Sequence, residues 1–421
     1  MKRLIFLLFA LASINAKAQQ KYVGGDISLL QSYEDNQVSY YTKTGSKIND
    51  MLQYLKSESV GWNTLRVRLF VNPQKKNPEG YTDNQVCQDL DYVVRLCKRI
   101  KAEGYALLLD FHYSDTWADP SNQWIPAAWA SLTEAQLRTK VYEYTKECLQ
   151  RLVDEGATPD FIQTGNEISY GMLWSATVDR SSNLNRCYSN SPQSYWTRFT
   201  NLLAQATKAC REVCPNAKIV LHSERSGDTS TLKQFCSRMA NVDYDIIGLS
   251  YYPFWHKSLE VLSGSLDMLA TDFPDKTVQI VETAYYYTSP GTVDNDFSSI
   301  WPYTPAGQAA FAHDLIEELK KHSNVNALYW WFPEENGNGP NNAVTTYWVN
   351  RGMWNNSSHR ALQSLTVLKE FLDGSSSVDK TSTDAMSGTT IYFDLSGRKI
   401  TSPTGLCIRY NGDTAQKIHI K

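Results

Sequence analysis

The chain has 421 residues, with 41 Lys plus Arg against 44 Asp plus Glu and a net charge of −3. That length admits one large barrel or two domains, and the near balance of charge excludes a basic nucleic-acid stripe and an acidic tail. Twelve Trp and 25 Tyr supply flat rings with a polar handle, a composition that suits a carbohydrate-binding surface.

The first residues read MKRLIFLLFALASINAKAQQ. Lys2 and Arg3, an apolar run over 4–14 and an A-x-A site at Ala16-Lys17-Ala18 make residues 1–18 a signal peptide, too short for a membrane span. Export to the periplasm, the cell surface or the medium is expected. No later stretch is long and apolar enough to cross a bilayer.

Residues 19–373 alternate short apolar runs with amphipathic stretches. The runs are 22–30, 63–70, 105–113, 161–168, 218–223, 246–253, 278–285 and 327–333. Helical patterns lie between them over 85–103, 134–155 and 307–322. In the first, Val86, Leu90, Val93, Val94, Cys97 and Ile100 share a face and Gly104 closes the helix. Strand–helix alternation repeated eight times predicts an α/β fold, a closed (β/α)8 TIM barrel.

Barrel enzymes carry their chemistry at the C-terminal ends of the strands. At those ends this sequence gathers Asp26, Arg66 and Arg68, Asp110 and His112, Asn166 and Glu167, His222, Tyr251 and Tyr252, Glu282, and Trp330 and Trp331. Strand alternation puts Arg66 with Arg68, Asp110 with His112, and Val278 and Ile280 with Glu282 on common faces. Asn166 and Glu167 are consecutive, so both face the site only where the strand breaks up.

Past residue 373 the composition changes. Residues 374–386 (GSSSVDKTSTDAM) read as a polar linker. Residues 387–421 follow as β-like pieces joined by turns, an appended hairpin module marginal by itself. The eight cysteines are scattered singly and predict buried thiols with at most one bridge rather than a disulfide framework or a zinc site.

Glu167 and Glu282 come from strands four and seven, facing each other across the mouth. Glycoside hydrolysis needs such a pair, one carboxylic acid protonating the leaving oxygen and one carboxylate attacking the anomeric carbon. Arg66 beside Glu282 is expected to keep it ionised, while desolvation keeps Glu167 protonated. Asn166 is placed to bond the sugar 2-hydroxyl.

These motifs resemble glycoside hydrolase family 53, the endo-β-1,4-galactanases, retaining (β/α)8 enzymes. The resemblance is carried by GDIS (25–28), NTLRVRLFVNP (63–73), LDFHYSDTWADPSN (109–122), GNEI (165–168), GLSYYPFW (248–255) and VETAY (281–285). It implies Glu167 as acid/base and Glu282 as nucleophile, with Arg66 as the clan's strand-two arginine and Arg68 next if the register is off. It further implies substrate contacts from Asp26, His112, Asp115, Trp117, Asp119, Asn166, Tyr251 and Trp255, and sugar-stacking platforms among Trp117, Trp174, Trp255 and Trp331. The implied substrates are β-1,4-galactan, the type I arabinogalactan of pectin, and galacto-oligosaccharides. No organic cofactor is implied, and a monomer is expected. Residues 286–305 offer only Asp294 and Asp296 where relatives carry an acidic calcium loop, so a structural calcium stays open. The C-terminal pieces resemble short β-rich segments of exported Bacteroidota proteins.

Three other readings stand beside this one. A metal-dependent hydrolase would use His112, His222 and Asp26. A non-catalytic galactan-binding barrel would have no need of the two glutamates. A same-clan enzyme would cut β-mannan or β-glucan instead.

Overall fold

Each apolar run coincides with or overlaps a parallel strand, and two of the strands start one or two residues earlier than the run. The strands are β1 (Tyr22–Asp26), β2 (Thr64–Leu69), β3 (Ala106–Phe111), β4 (Phe161–Thr164), β5 (Lys218–Ser223), β6 (Ile246–Tyr251), β7 (Thr277–Thr283) and β8 (Val325–Trp331). The computed structural model describes residues 19–73, 77–80, 83, 85–175, 185–338 and 348–373, and then 391–393, 399–400, 405–410 and 415–420. The strands close into a barrel in the order β1-β8-β7-β6-β5-β4-β3-β2. Pairing of Gly24 with Thr64 and of Asp26 with Arg66 joins β1 to β2. Being covered on both faces, such strands read as continuous apolar runs.

The helices that alternate with the strands or follow them include α1 (Met51–Lys56), α2 (Leu90–Ala102), α3 (Glu134–Asp154), α4 (Gln193–Val213), α5 (Thr229–Arg238), α6 (Leu259–Asp272), α7 (Pro305–Lys320) and α8 (Ser364–Val367), with short helical turns at Leu30–Asp35 and Pro253–His256 besides. The structure is thus a (β/α)8 TIM barrel. Helix α2 begins at Leu90 rather than 85 because the Asp89 side chain caps it, accepting from Tyr92 N. Thr133 and Gln136 form a capping box at the start of α3. Inside the barrel, Leu108, Phe161, Val220, Ile246, Val281, Ala327 and Tyr329 form an apolar cluster beneath a polar mouth.

One expectation about alternation fails on β7. Val278 and Ile280 belong to the cluster between sheet and helices, whereas Val281 belongs to the interior cluster. The β6–β7 register shifts between Leu249↔Ile280 and Ser250↔Glu282. A bulge adds one residue there and turns the following side chain back inward, so Glu282 reaches the mouth against the period of its own strand.

The chain divides into two compact units, Met1–Asp373 and Gly374–Lys421. The second carries more than the predicted hairpin. It contains β9 (Ile391–Phe393), β10 (Lys399–Ile400), β11 (Gly405–Tyr410) and β12 (Ala415–Ile420), an antiparallel sheet in the order β10-β9-β11-β12. The signal-peptide assignment (1–18) and the linker assignment (374–386) lie outside the described residues. Cys97, Cys148, Cys187, Cys210, Cys214 and Cys236 are buried free thiols. Among the described residues no helix is long and apolar enough to cross a membrane.

Gly24 lies where β1 and β2 approach so closely that an added Cβ would sit 1.7 Å from Thr64 O. Gly24→Ala is therefore expected to lower the melting temperature far more than Thr133→Ala, which loses one cap at about 1 kcal/mol. Thermal unfolding of the two variants checks the ranking.

Candidate active site

The polar mouth is organised by Arg66, 1% exposed on β2. Its Nη1 bonds Asp26 Oδ2 at 2.9 Å and Glu282 Oε1 at 2.9 Å. Its Nη2 bonds Asp110 Oδ2 at 2.8 Å and Asn166 Oδ1 at 2.8 Å. Arg68, two residues on, bonds Asp26 Oδ1 at 3.1 Å and lies 4.5 Å from the centre of the Trp117 ring. The planar guanidinium fork is suited to such shared contacts. Asp110 is held below the usual carboxylate range by Arg66, with further help from His112, against the opposing effect of burial.

Glu167 reaches the site because β4 ends at Thr164. Gly165 has φ +103° and Glu167 has φ +49°. A Cβ at Gly165 would lie 2.7 Å from Ile168 Cγ2. This left-handed turn lets the neighbours Asn166 and Glu167 face the same cavity, a placement regular alternation forbids. Asn166 Nδ2 donates to Ala118 O at 2.8 Å, and its second hydrogen is left for a ligand.

The two glutamates meet at one hydroxyl. Ser250 Oγ donates to Glu167 Oε1 at 2.7 Å and lies 3.5 Å from Glu282 Oε2. Tyr252 donates its hydroxyl to Glu282 Oε2 at 2.9 Å. Burial raises the Glu167 carboxyl well above its ordinary value, helped by the negative charges of Glu282 and Glu224. Burial also pushes Glu282 up, to about 7, against the pull of Arg66 and Tyr252. Arg66 favours ionised Glu282, in the expected direction, but burial opposes it. Arg66 is shared with Asp26 and Asp110, whose charges push the Glu282 carboxyl upward. What remains is the order: the proton belongs on Glu167.

The other sequence-derived residues divide by what they touch. His112 Nδ1 accepts from Ala118 N at 3.1 Å and Nε2 meets Asp110 Oδ2 at 3.1 Å. Asp119 binds Ser121 N and the Asn122 side chain, and its charge is felt at Glu167. Trp117, half-buried, donates Nε1 to Asp83 Oδ2. Trp331 packs 4.1 Å from Trp348, and Trp255, 44% exposed, lies 5.5 Å from the same ring.

Four assignments are corrected. Asp26 is 0% exposed, with both oxygens taken by Arg66 and Arg68, so it positions the arginines instead of meeting substrate. Asp115 spends its oxygens on Asn72 N and Ala127 N and ties two loops together. Tyr251 points outward, 0% exposed, 6.5 Å from Phe311 of α7; strand parity gives the site position to Tyr252. Trp174 is 5% exposed and the Arg186 guanidinium lies 4.3 Å above its ring, which covers that face.

The sequence reading left Ser250, Gln163 and Trp348 out of its site, and it noted Tyr252 at the strand end without giving it a role. Tyr252 and Ser250 were findable by counting inward positions back from the end of β6. Trp348 follows a segment with no strand or helix pattern and had no such signal. The alternative metal trio does not converge: His112 turns to Asp110, His222 Nε2 to Ser250 Oγ at 2.9 Å, and Asp26 to the arginines. Among the described residues no three His, Cys, Asp or Glu side chains group as metal ligands. Asp296 accepts from Ser298 N and Tyr303. Arg66→Met would take the shared cation from three buried carboxylates, and removing one partner of a buried pair costs about 3–5 kcal/mol. The variant should unfold at clearly lower denaturant concentration than Tyr252→Phe, by equilibrium unfolding.

Comparison with known proteins gives a consistent result. The sequence model of glycosyl hydrolase family 53 matches residues 22–368. An endo-β-1,4-galactanase of Bacillus subtilis is 31% identical over 74% of this chain and 70% of its own length. An arabinogalactan endo-β-1,4-galactanase of Thermothelomyces thermophilus is 32% identical over 74% of this chain and 89% of its own. Among solved structures, the family 53 catalytic domain of Ignisphaera aggregans superposes with a TM-score of 0.70 at 29% identity, covering 83% of this chain and 96% of that one. By these matches the chain belongs to glycosyl hydrolase family 53.

Proposed function

We propose that the protein is an exported, retaining endo-β-1,4-galactanase acting on the galactan side chains of pectin. The observation that carries the mechanism is the single Ser250 hydroxyl in reach of both Glu167 and Glu282. One hydroxyl reaching both holds the nearest carboxyl oxygens within about 6 Å of each other, which favours the ~5 Å spacing of direct attack over the wider spacing, about 6.5–9.5 Å, that admits a water. The substrate is assigned from the galactanases at 31 and 32% identity. Export is assigned from residues 1–18.

Glu282, ionised, attacks the anomeric carbon while Glu167 gives its proton to the departing glycosidic oxygen. A water then attacks the same carbon, losing a proton to Glu167 as the bond to Glu282 breaks. Arg66 and Tyr252 stabilise the Glu282 carboxylate before attack and as it leaves. The exposed Trp255 face, with Trp348 and Trp331 behind it, offers the apolar face of galactose a surface to stack on and supports internal cleavage of a long chain.

Wild-type protein should release reducing ends from linear β-1,4-galactan but not from β-mannan or β-glucan. Glu167→Gln and Glu282→Gln should each lose about 1,000-fold or more. Proton NMR of the first product should show the β-anomer. Galactan hydrolysis surviving Glu282→Gln would sink the mechanism; mannan or glucan cleavage would sink the substrate. Galactan binding without turnover would make the protein a binding barrel.

The activity is also expected to be bell-shaped in pH. Its acid limb follows ionisation of Glu282, pushed up to about 7, and its basic limb follows loss of the Glu167 proton. Tyr252→Phe removes a hydrogen bond that favours ionised Glu282, so the acid limb of kcat/KM should move to higher pH by about one unit. An unmoved limb in that variant would contradict the assignment of Glu282.

A further inference from the structure

Ser250 is fully buried, two residues before Tyr252, and nothing in the double displacement as written above requires it. Its surroundings fix what its hydroxyl can do. His222 Nδ1 accepts from the backbone N–H of Glu167 at 3.2 Å and is 3.1 Å from Gln163 Nε2; it is also 3.1 Å from Asn166 Oδ1, an oxygen already bonded by Arg66 Nη2 at 2.8 Å. With Nδ1 an acceptor, the neutral ring carries its proton on Nε2, which is 2.9 Å from Ser250 Oγ. Burial holds that imidazole neutral, well below its ordinary value. The Ser250 oxygen therefore accepts from His222, and its one proton has two side-chain targets, Glu167 Oε1 at 2.7 Å and Glu282 Oε2 at 3.5 Å.

Those targets carry negative charge at different moments. Before the first step it is on Glu282; in the glycosyl-enzyme, Glu282 is esterified and Glu167 has become the carboxylate. We propose that Ser250 is a positioning residue for the second step: its hydroxyl, which already donates to Glu167 Oε1 in the free protein, gains strength as a donor once the first step has moved the negative charge from Glu282 to Glu167. The two carboxylates are not supported equally. Ionised Glu282 keeps Arg66 and Tyr252 as donors whatever Ser250 does, whereas Ser250 is the side-chain donor described at Glu167. Ser250 thus serves the second step, in which Glu167 takes a proton from water, the water oxygen bonds the anomeric carbon and the bond to Glu282 breaks. This inference rests on the retaining reading.

The test uses 2,4-dinitrophenyl β-1,4-galactobioside, whose leaving group departs without a proton, so the two steps separate in stopped flow. Ser250→Ala should leave the burst of dinitrophenolate within about threefold of wild type. It should slow the steady state about 10-fold or more, the weight of one hydrogen bond to a charged acceptor. Azide, a nucleophile that needs no base, should restore the steady state and give β-galactobiosyl azide. On galactan, the basic limb of kcat/KM should move to higher pH, because the lost donor favoured ionised Glu167. Equal loss in both steps, or a steady state that azide does not restore, would overturn the role of Ser250 alone. A wild-type enzyme with no burst that yields the α-anomer would overturn the retaining reading beneath it.

Discussion

A guanidinium sealed from water at the barrel mouth sets the terms for everything around it. Arg66 joins β2 to Asp26 of β1, Asp110 of β3, Asn166 at the end of β4 and Glu282 of β7. A buried charge of this kind is tolerable only when its partners are held in good geometry, and here the partners come from strands that the barrel fixes in register. The same contacts decide the proton inventory. Asp110 is pulled down, Glu282 settles near neutrality, and Glu167, with no cation on it, is raised furthest. In the proposed mechanism, acid and nucleophile are told apart by which of them the arginine reaches.

The reactive groups then sit where the regular backbone gives way. Glu167 stands on a left-handed residue after Gly165, and Glu282 follows a bulge in β7. Both irregularities undo the two-residue period that would send a side chain to the helix layer. Local strain of this type persists only where surrounding structure over-determines it. At β4 that support includes the backbone of Glu167 donating to His222 and the backbone of Ile168 donating to His222 O.

Outside this centre the mouth is lined by aromatic rings that serve two ends. Trp117 packs over Arg68 and against Trp331, shielding the buried ions from solvent. Trp348 and Trp255 flank the Arg351 guanidinium, 3.7 and 5.4 Å from the ring centres, an arrangement that stiffens the platform while leaving the Trp255 face open. Low dielectric inside and the surface proposed for sugar stacking outside thus come from one continuous aromatic wall.

The sequence by itself determined the barrel, because eight doubly buried apolar runs separated by amphipathic helices have few other ways to hide from water. It also marked both glutamates and Arg66, since charged residues at the ends of such runs stand out against their neighbours. What it could not decide was direction. The family resemblance placed Tyr251 in the cleft and period-two reasoning joined Glu282 to the face of Ile280, yet parity on β6 and the bulge on β7 put Tyr252 and Val281 inside instead. Nor could it tell Asp26 and Asp115, which hold the frame, from groups open to a ligand. A motif records which residues are near one another in the chain, whereas exposure, hydrogen-bond partners and the sharing of one arginine among three carboxylates arise only when distant strands close around them.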